Sequence, residues 1–200
     1  MKVRYLGPES RVQIALALEP HEDRLDELPA ADVIISYRYR HIIPWRLLKA
    51  YRGRIINIHT SLLPWQRGAH PVFWAFMEGT SHGVTIHEID RGIDTGPIIV
   101  QVPVTLDIER FTFRSAWEYM NKIAEDTFLA LWPGLLQLEA QPQGHGGSEH
   151  KAKDKDIFHP VSWDEPVSIY LEAIAEEELS IDCADLERKE IAQMKAAGTI

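Results

Sequence analysis

The stretch "ADVIISYRYRHIIPWRLLKAYRGRIINIHTSLLP", residues 31–64, decides the fold class. Its first six residues centre on the apolar, β-branched run Val33-Ile34-Ile35, the pattern of a buried strand. Pro44 opens a helix, because a first-turn residue has no helical partner for its N–H to lose, and Gly53 stops it. Residues 55–58 are a second β-branched run, a second strand. Strand, helix and strand at this spacing form a βαβ unit, which implies parallel strands and a right-handed crossover. The fold expected is α/β with a mostly parallel sheet.

The second strand ends on chemistry. Side chains of a strand alternate faces, so Asn57 and His59 point the same way, just before a Leu-Leu-Pro stop. A third polar residue, Asp94, lies in "DRGIDTGPII", residues 90–99, a Gly-bounded loop between strands read at 83–89 and 96–104. Such a loop can bring a carboxylate back over the sheet edge. An amide, an imidazole and a carboxylate suit acyl transfer to an amine. The carboxamide N–H can stabilise an oxyanion. The imidazole can donate to the same oxygen or move protons, and the carboxylate can hold the imidazole or take the amine's proton. No Ser or Cys nucleophile is required.

Other chemistries fit less well. Ser61, His59 and Asp94 supply the residue types of a hydrolase, but the G-x-S-x-G elbow is absent and a hydroxyl at Ser61 more often braces a turn. Zinc needs three or four ligands at workable spacings. The chain has nine His but one Cys and no H-E-x-x-H, and His82 and His87 would face opposite sides of a strand. No metal site is expected. The Gly-rich phosphate loops G-x-G-x-x-G and G-x-x-x-x-G-K-[ST] are missing.

Outward from the centre, residues 2–6 read as a first strand, 11–18 as a helix, and Pro71–Met77 as a short helix closed by Gly79. Residues 111–131 form the clearest helix, with one apolar stripe of Phe113, Ala116, Trp117, Met120, Ala124, Phe128 and Leu131. Residues 141–156, rich in Pro, Gly, Lys and Asp, read as a loop or linker. The tail gives two amphipathic helices, around 165–178 and 184–197. The organisation expected is a catalytic core over 1–140, the linker at 141–156 and a helical appendage over 157–200. The net charge of −9 disfavours a nucleic-acid partner, since there is little cationic surface to neutralise phosphates. No run of about 18 apolar residues suggests a membrane span. One cysteine and no apolar leader suggest a cytoplasmic setting.

"NIHTSLLP" (57–64) together with "GVTIHEIDRGIDTGPII" (83–99) resembles the folate-dependent formyltransferases. That family includes glycinamide ribonucleotide transformylase, methionyl-tRNA formyltransferase, the sugar-nucleotide N-formyltransferases and a formylation domain of peptide synthetases. The resemblance runs from about residue 31 to 138. It implies a Rossmann-like sheet, here with a shortened N-terminal half, and a catalytic set of Asn57, His59 and Asp94. It implies 10-formyltetrahydrofolate as formyl donor. The pterin would lie between Arg40, His41, Ile42 and Ile43 and the loop of Asp90, Arg91, Gly92 and Ile93. An apolar slot edged by main-chain groups suits a pterin. Methionyl-tRNA formyltransferases carry a further barrel domain, whereas the residues after 156 here look helical and acidic. "LLPWQRGAHPVFW" (62–74) looks most like the sugar formyltransferases and the peptide-synthetase domain. The acceptor expected is a small amine, foremost a nucleotide-linked amino sugar, with a free or carrier-bound amino acid as the alternative and a degenerate folate-binding module as a third. Trp65, Arg67, His70, His150 and Lys151 are expected on the acceptor side. The tail helices could also make a homodimer.

Overall fold

A computed structural model describes residues 1–25, 27, 30–157 and 163–175. In chain order the elements are β1 (Val3–Leu6), α1 (Arg11–Ala15), β2 (Val33–Tyr37), α2 (Trp45–Ala50), β3 (Ile55–His59), β4 (Arg67–Gly68), α3 (Pro71–Met77), β5 (His82–Glu88), β6 (Ile98–Val104), α4 (Phe113–Leu131), β7 (Glu149–His150) and α5 (residues 167–175). Five strands form one sheet in the order β1-β2-β3-β5-β6. The first three are mutually parallel, β5 runs antiparallel to β3, and β6 antiparallel to β5. All but β5 therefore point one way, and the α/β class with a mostly parallel sheet holds.

The βαβ unit forms as read, with Pro44 as the residue that caps α2 rather than its first turn. Strand alternation splits the sheet into two packing layers. Ile35, Ile56, Ile58, Val84 and Ile86 face α3 and α4, meeting Phe73, Phe76, Met120 and Phe128. Ile34 and Ile55 face α2 through Leu48, with Leu25 and Ile43 beside them. Helix α4 starts on a capping box in which Thr112 and Ser115 satisfy each other's backbone N–H groups.

Three local expectations change. Helix α1 is only five residues long, because Leu16 leaves helical geometry and Ala17 takes a left-handed φ of 49°. Trp117 does not join the buried stripe of α4; its ring is 40% exposed. The stripe instead carries two buried polar residues, Asn121 and Glu125.

The stretch read as a loop or linker is tied to the core. Gln141 bridges Ile98, and β7 pairs in parallel with β4. Strands of two residues have no period to read. Residues 163–175 also return to the core: Val167 is fully buried, its N–H donates to the Phe111 carbonyl, and Asp164 pairs with Arg114. Residues 176–178 of the first tail helix, and the second at 184–197, lie outside the described residues. Among those described, no helix is long and apolar enough to cross a membrane.

Candidate active site

The site grows from the register of β3. Asn57 pairs with His87 across the antiparallel β3–β5 ladder, and His59 with Thr85. Directly opposed residues of such a pair share a face. The face that carries Asn57 and His59 therefore also carries His87. Asp94 reaches this face from the β5–β6 loop. Asp90 Oδ1 closes that loop by accepting from Gly92 N (3.0 Å) and Thr95 Oγ1 (2.6 Å). Gly96 lets it fold back on β5, since a Cβ there would sit 1.8 Å from the Glu88 carbonyl oxygen. Asp94 itself takes a left-handed φ of 50°, a conformation in which Asp is enriched among non-glycine residues.

The three expected catalytic residues meet. Asn57 Nδ2 lies 3.2 Å from Asp94 Oδ1 and 3.2 Å from His87 Nε2. Asp94 Oδ2 accepts from Gly68 N at 2.9 Å and faces His59 Nδ1 at 3.7 Å. His59 Nε2 lies 2.9 Å from the Gln66 carbonyl. A carbonyl only accepts, so Nε2 carries a proton and Nδ1 is the ring nitrogen that faces Asp94. The same logic gives His87 a proton on Nδ1, which donates to the Glu88 carbonyl at 2.8 Å, while its Nε2 lies 3.2 Å from Asn57 Nδ2 and 3.5 Å from Asp94 Oδ1.

Burial alone would raise the Asp94 pKa. The adjoining imidazoles of His59 and His87 and the Gly68 N–H outweigh it and hold the carboxyl far below its usual range. Asp94 is thus a fixed anion. It is a weak base.

His87 is the site residue that the sequence reading missed. As a residue in the sequence it suggests only a metal ligand. The signal was available in the strand pairing, not in the residue itself. His82 sits elsewhere, against Phe76 with ring centroids 4.2 Å apart, and burial pushes its pKa down to about 4. Ser61 braces a turn by donating to the Trp65 carbonyl at 2.7 Å.

A cleft of about 240 Å³ opens over Asn57, His59 and Asp94 and runs toward α4 and Trp163. Of the residues expected on the acceptor side, His70 lines it. Trp65, Arg67, His150 and Lys151 do not. His150 stacks on Trp74 (3.9 Å between centroids) and bonds Glu78 Oε1 at 2.7 Å. Gln66 and Ser148 bond the other oxygen of Glu78, at 2.8 and 2.6 Å. This cluster clamps the 148–150 segment to the loop whose Gln66 carbonyl orients His59. Burial would raise the Glu78 pKa, but the bonds from Ser148, Gln66 and His150 bring it below its usual value. Trp65 and Lys151 are exposed, and Arg67 lies in β4 with its Nε buried.

The residues expected around a pterin flank the other side of the Asp94 loop. Arg40, His41 and Ile42 are exposed, and so are Arg91, Gly92 and Ile93. Ile42 is 80% exposed, Trp45 55% and Ile93 43%. The Arg91 guanidinium lies 5.3 Å over the Trp45 ring, so the two segments stand side by side. Ile43 differs from its neighbours: it is buried in the α2 layer with Leu48 and Ile55, so it supports this surface from beneath.

Comparison with known proteins gives concordant matches. Residues 10–127 match the family described as formyl transferase. The chain is 39% identical to the formyltransferase PseJ from Anoxybacillus kamchatkensis, which was solved with UDP-4,6-dideoxy-4-formamido-L-AltNAc and tetrahydrofolate. That match has a TM-score of 0.78 and covers 84% of this chain and 96% of that one. It is 35% identical over 136 residues to the methionyl-tRNA formyltransferase of Thermosynechococcus vestitus, covering 67% of this chain and 40% of the relative. It is 38% identical over 112 residues to the phosphoribosylglycinamide formyltransferase of Bacillus subtilis, covering 56% and 57%. The chain thus spans about half the length of the curated relatives it matches.

Proposed function

Because the chain belongs to the formyl transferase family, we propose that it is an N-formyltransferase that carries the formyl group of 10-formyltetrahydrofolate to the amine of a nucleotide-linked amino sugar. The observation that carries this reading is the convergence of Asn57, His59 and Asp94 on one cleft. The likeness to PseJ, which was solved with a UDP-linked formamido sugar, supports the acceptor class.

The folate co-substrate supplies an activated formyl group. Exposed Ile42, Trp45 and Ile93 and the main chain of residues 90–93 fit its pterin, as an apolar surface edged by backbone donors and acceptors. From there the formyl carbon would reach the Asn57 amide. Attack by the acceptor amine places negative charge on the formyl oxygen. Asn57 Nδ2 serves that oxygen with the hydrogen it now directs at Asp94, while its other hydrogen stays on His87 and fixes the amide plane. His59 Nδ1 takes the amine's proton, and the Asp94 anion stabilises the imidazolium that forms; as the intermediate collapses the bond from the formyl carbon to the folate nitrogen breaks, that nitrogen takes the proton back, and tetrahydrofolate leaves with the formamide on the sugar amine. His70 borders the acceptor in the cleft. Trp65, Arg67, His150 and Lys151 belong to this reading as residues of the rim and of the clamped 148–150 segment.

A formyl-transfer assay with 10-formyltetrahydrofolate against nucleotide-linked amino sugars, free amino acids and charged initiator tRNA tests the proposal. Formylation of a nucleotide-linked amino sugar with the highest kcat/KM supports it. A preference for the amino acid or the tRNA would replace the acceptor assigned here.

A further inference from the structure

We propose that Arg38 is the anion-binding residue of the acceptor site, taking the diphosphate of a nucleotide-linked amine. The proposal rests on the formyl-transfer reading for the position of the amine, not for the anion site itself.

Arg38 follows β2 directly. In the β2–β3 register Tyr37 opposes Ile58, so Arg38 stands one step further on, beside His59. Adjacent strands are about 4.8 Å apart. Arg38 therefore shares the cleft with Asn57, His59 and Asp94. Its φ of 57° is left-handed, a costly state for a long side chain. That turn aims the side chain at α4. There the guanidinium lies 5.1 Å over the Trp117 ring and 5.9 Å from the Tyr37 ring centroid.

No carboxylate among the described residues lies within ion-pair distance of Arg38. Glu125 senses its charge only from farther away, and that acid is already approached by Arg11 at 4.0 Å. The cations nearby on this side are paired: Arg11 with Asp126 at 2.7 Å and Arg114 with Asp164 at 2.6 Å. What sets Arg38 apart is its place: its charge borders the cleft that Asn57, His59 and Asp94 line. Contact with these aromatic faces restricts the guanidinium, and its N–H edge meets no side-chain acceptor among the described residues. That edge matches two phosphate oxygens at once. Trp117, an exposed aromatic of α4 that lines the cleft, adds a surface for a base or sugar ring.

The anion could also be the carboxylate tail of folate, and the test separates the two. Calorimetry with UDP as probe should show binding to the wild type and a Kd raised about tenfold to hundredfold in Arg38→Ala, the usual scale for a charged hydrogen-bond partner. Arg38→Lys should recover part of the loss, since the charge remains but the fork does not. Formyl-transfer kinetics should show KM for a UDP-linked amino sugar rising similarly, with KM for 10-formyltetrahydrofolate held. Equal UDP affinity in wild type and Arg38→Ala, or no UDP binding to the wild type, overturns the inference. So does a loss of folate affinity in place of UDP affinity. An Arg38-dependent UDP site in a protein that formylates no amine would support the inference while refuting the formyl-transfer reading.

Discussion

Asn57 Nδ2 lies 3.2 Å from Asp94 Oδ1, although 37 positions separate the two residues. One comes from the end of a central strand and the other from a hairpin loop that folds back over it. The amide is held at both hydrogens, by Asp94 and by His87, and the carboxylate is held by a main-chain N–H and two side chains. The site is thus preorganised before any ligand arrives.

The Asp94 carboxyl has a folded-state pKa below its unfolded value of about 3.9. A depressed acid contributes stability that is present above the unfolded pKa and lost as pH falls through the folded one. Wild type should therefore lose stability relative to Asp94→Asn as pH drops from about 5 toward 3, as the Asp94 contribution begins to fade. Thermal melts of both proteins across that range check this. A constant difference between them would mean that Asp94 is not held as an anion. The same shift keeps Asp94 ionised at neutral pH, so any acid limb of kcat above about pH 5 belongs to another group.

Gly68 donates its N–H to Asp94 Oδ2 and has a φ of 87°. A Cβ on it would sit 2.3 Å from the His150 carbonyl oxygen. Gly68→Ala should thus cost about 1–3 kcal/mol from backbone strain alone and disturb the Asp94 contact. Chemical denaturation and kcat should fall together. A stable variant with wild-type kcat would show that the β4–β7 pairing does not position Asp94.

Ile42 is exposed, so Ile42→Asp should fold normally. Closing a pterin over that carboxylate would bury an unpartnered polar group, which costs about 1–3 kcal/mol, or roughly tenfold to hundredfold in affinity. Calorimetric titration with a folate should show that loss. Unchanged affinity would place the folate elsewhere.

The sequence carried the local parts of this architecture well. The β2–α2–β3 unit follows from β-branched runs flanking a Pro-initiated helix, and Asn57, His59 and Asp94 stood out at strand and loop ends. What depended on pairing was not legible. His87 becomes a site residue only through its register with Asn57. Trp117 fits the apolar spacing of α4 yet faces the cleft, because helical periodicity marks a stripe but not which edge of it meets solvent. The β4–β7 pair joins segments some eighty residues apart through two residues each, too short for any pattern.

The most direct measurement is a single-turnover experiment with label in the formyl group of 10-formyltetrahydrofolate and a UDP-linked amino sugar as acceptor. Wild type and Asp94→Asn are run side by side, with folding checked by circular dichroism. The label should appear as an amide on the sugar amine with wild type. It should do so about 10²–10⁴ times more slowly with Asp94→Asn, the scale of a group that assists proton transfer. Equal rates in the two proteins, or label recovered only as free formate from the wild type, would contradict the assignment of Asn57, His59 and Asp94 as a formyl-transfer site.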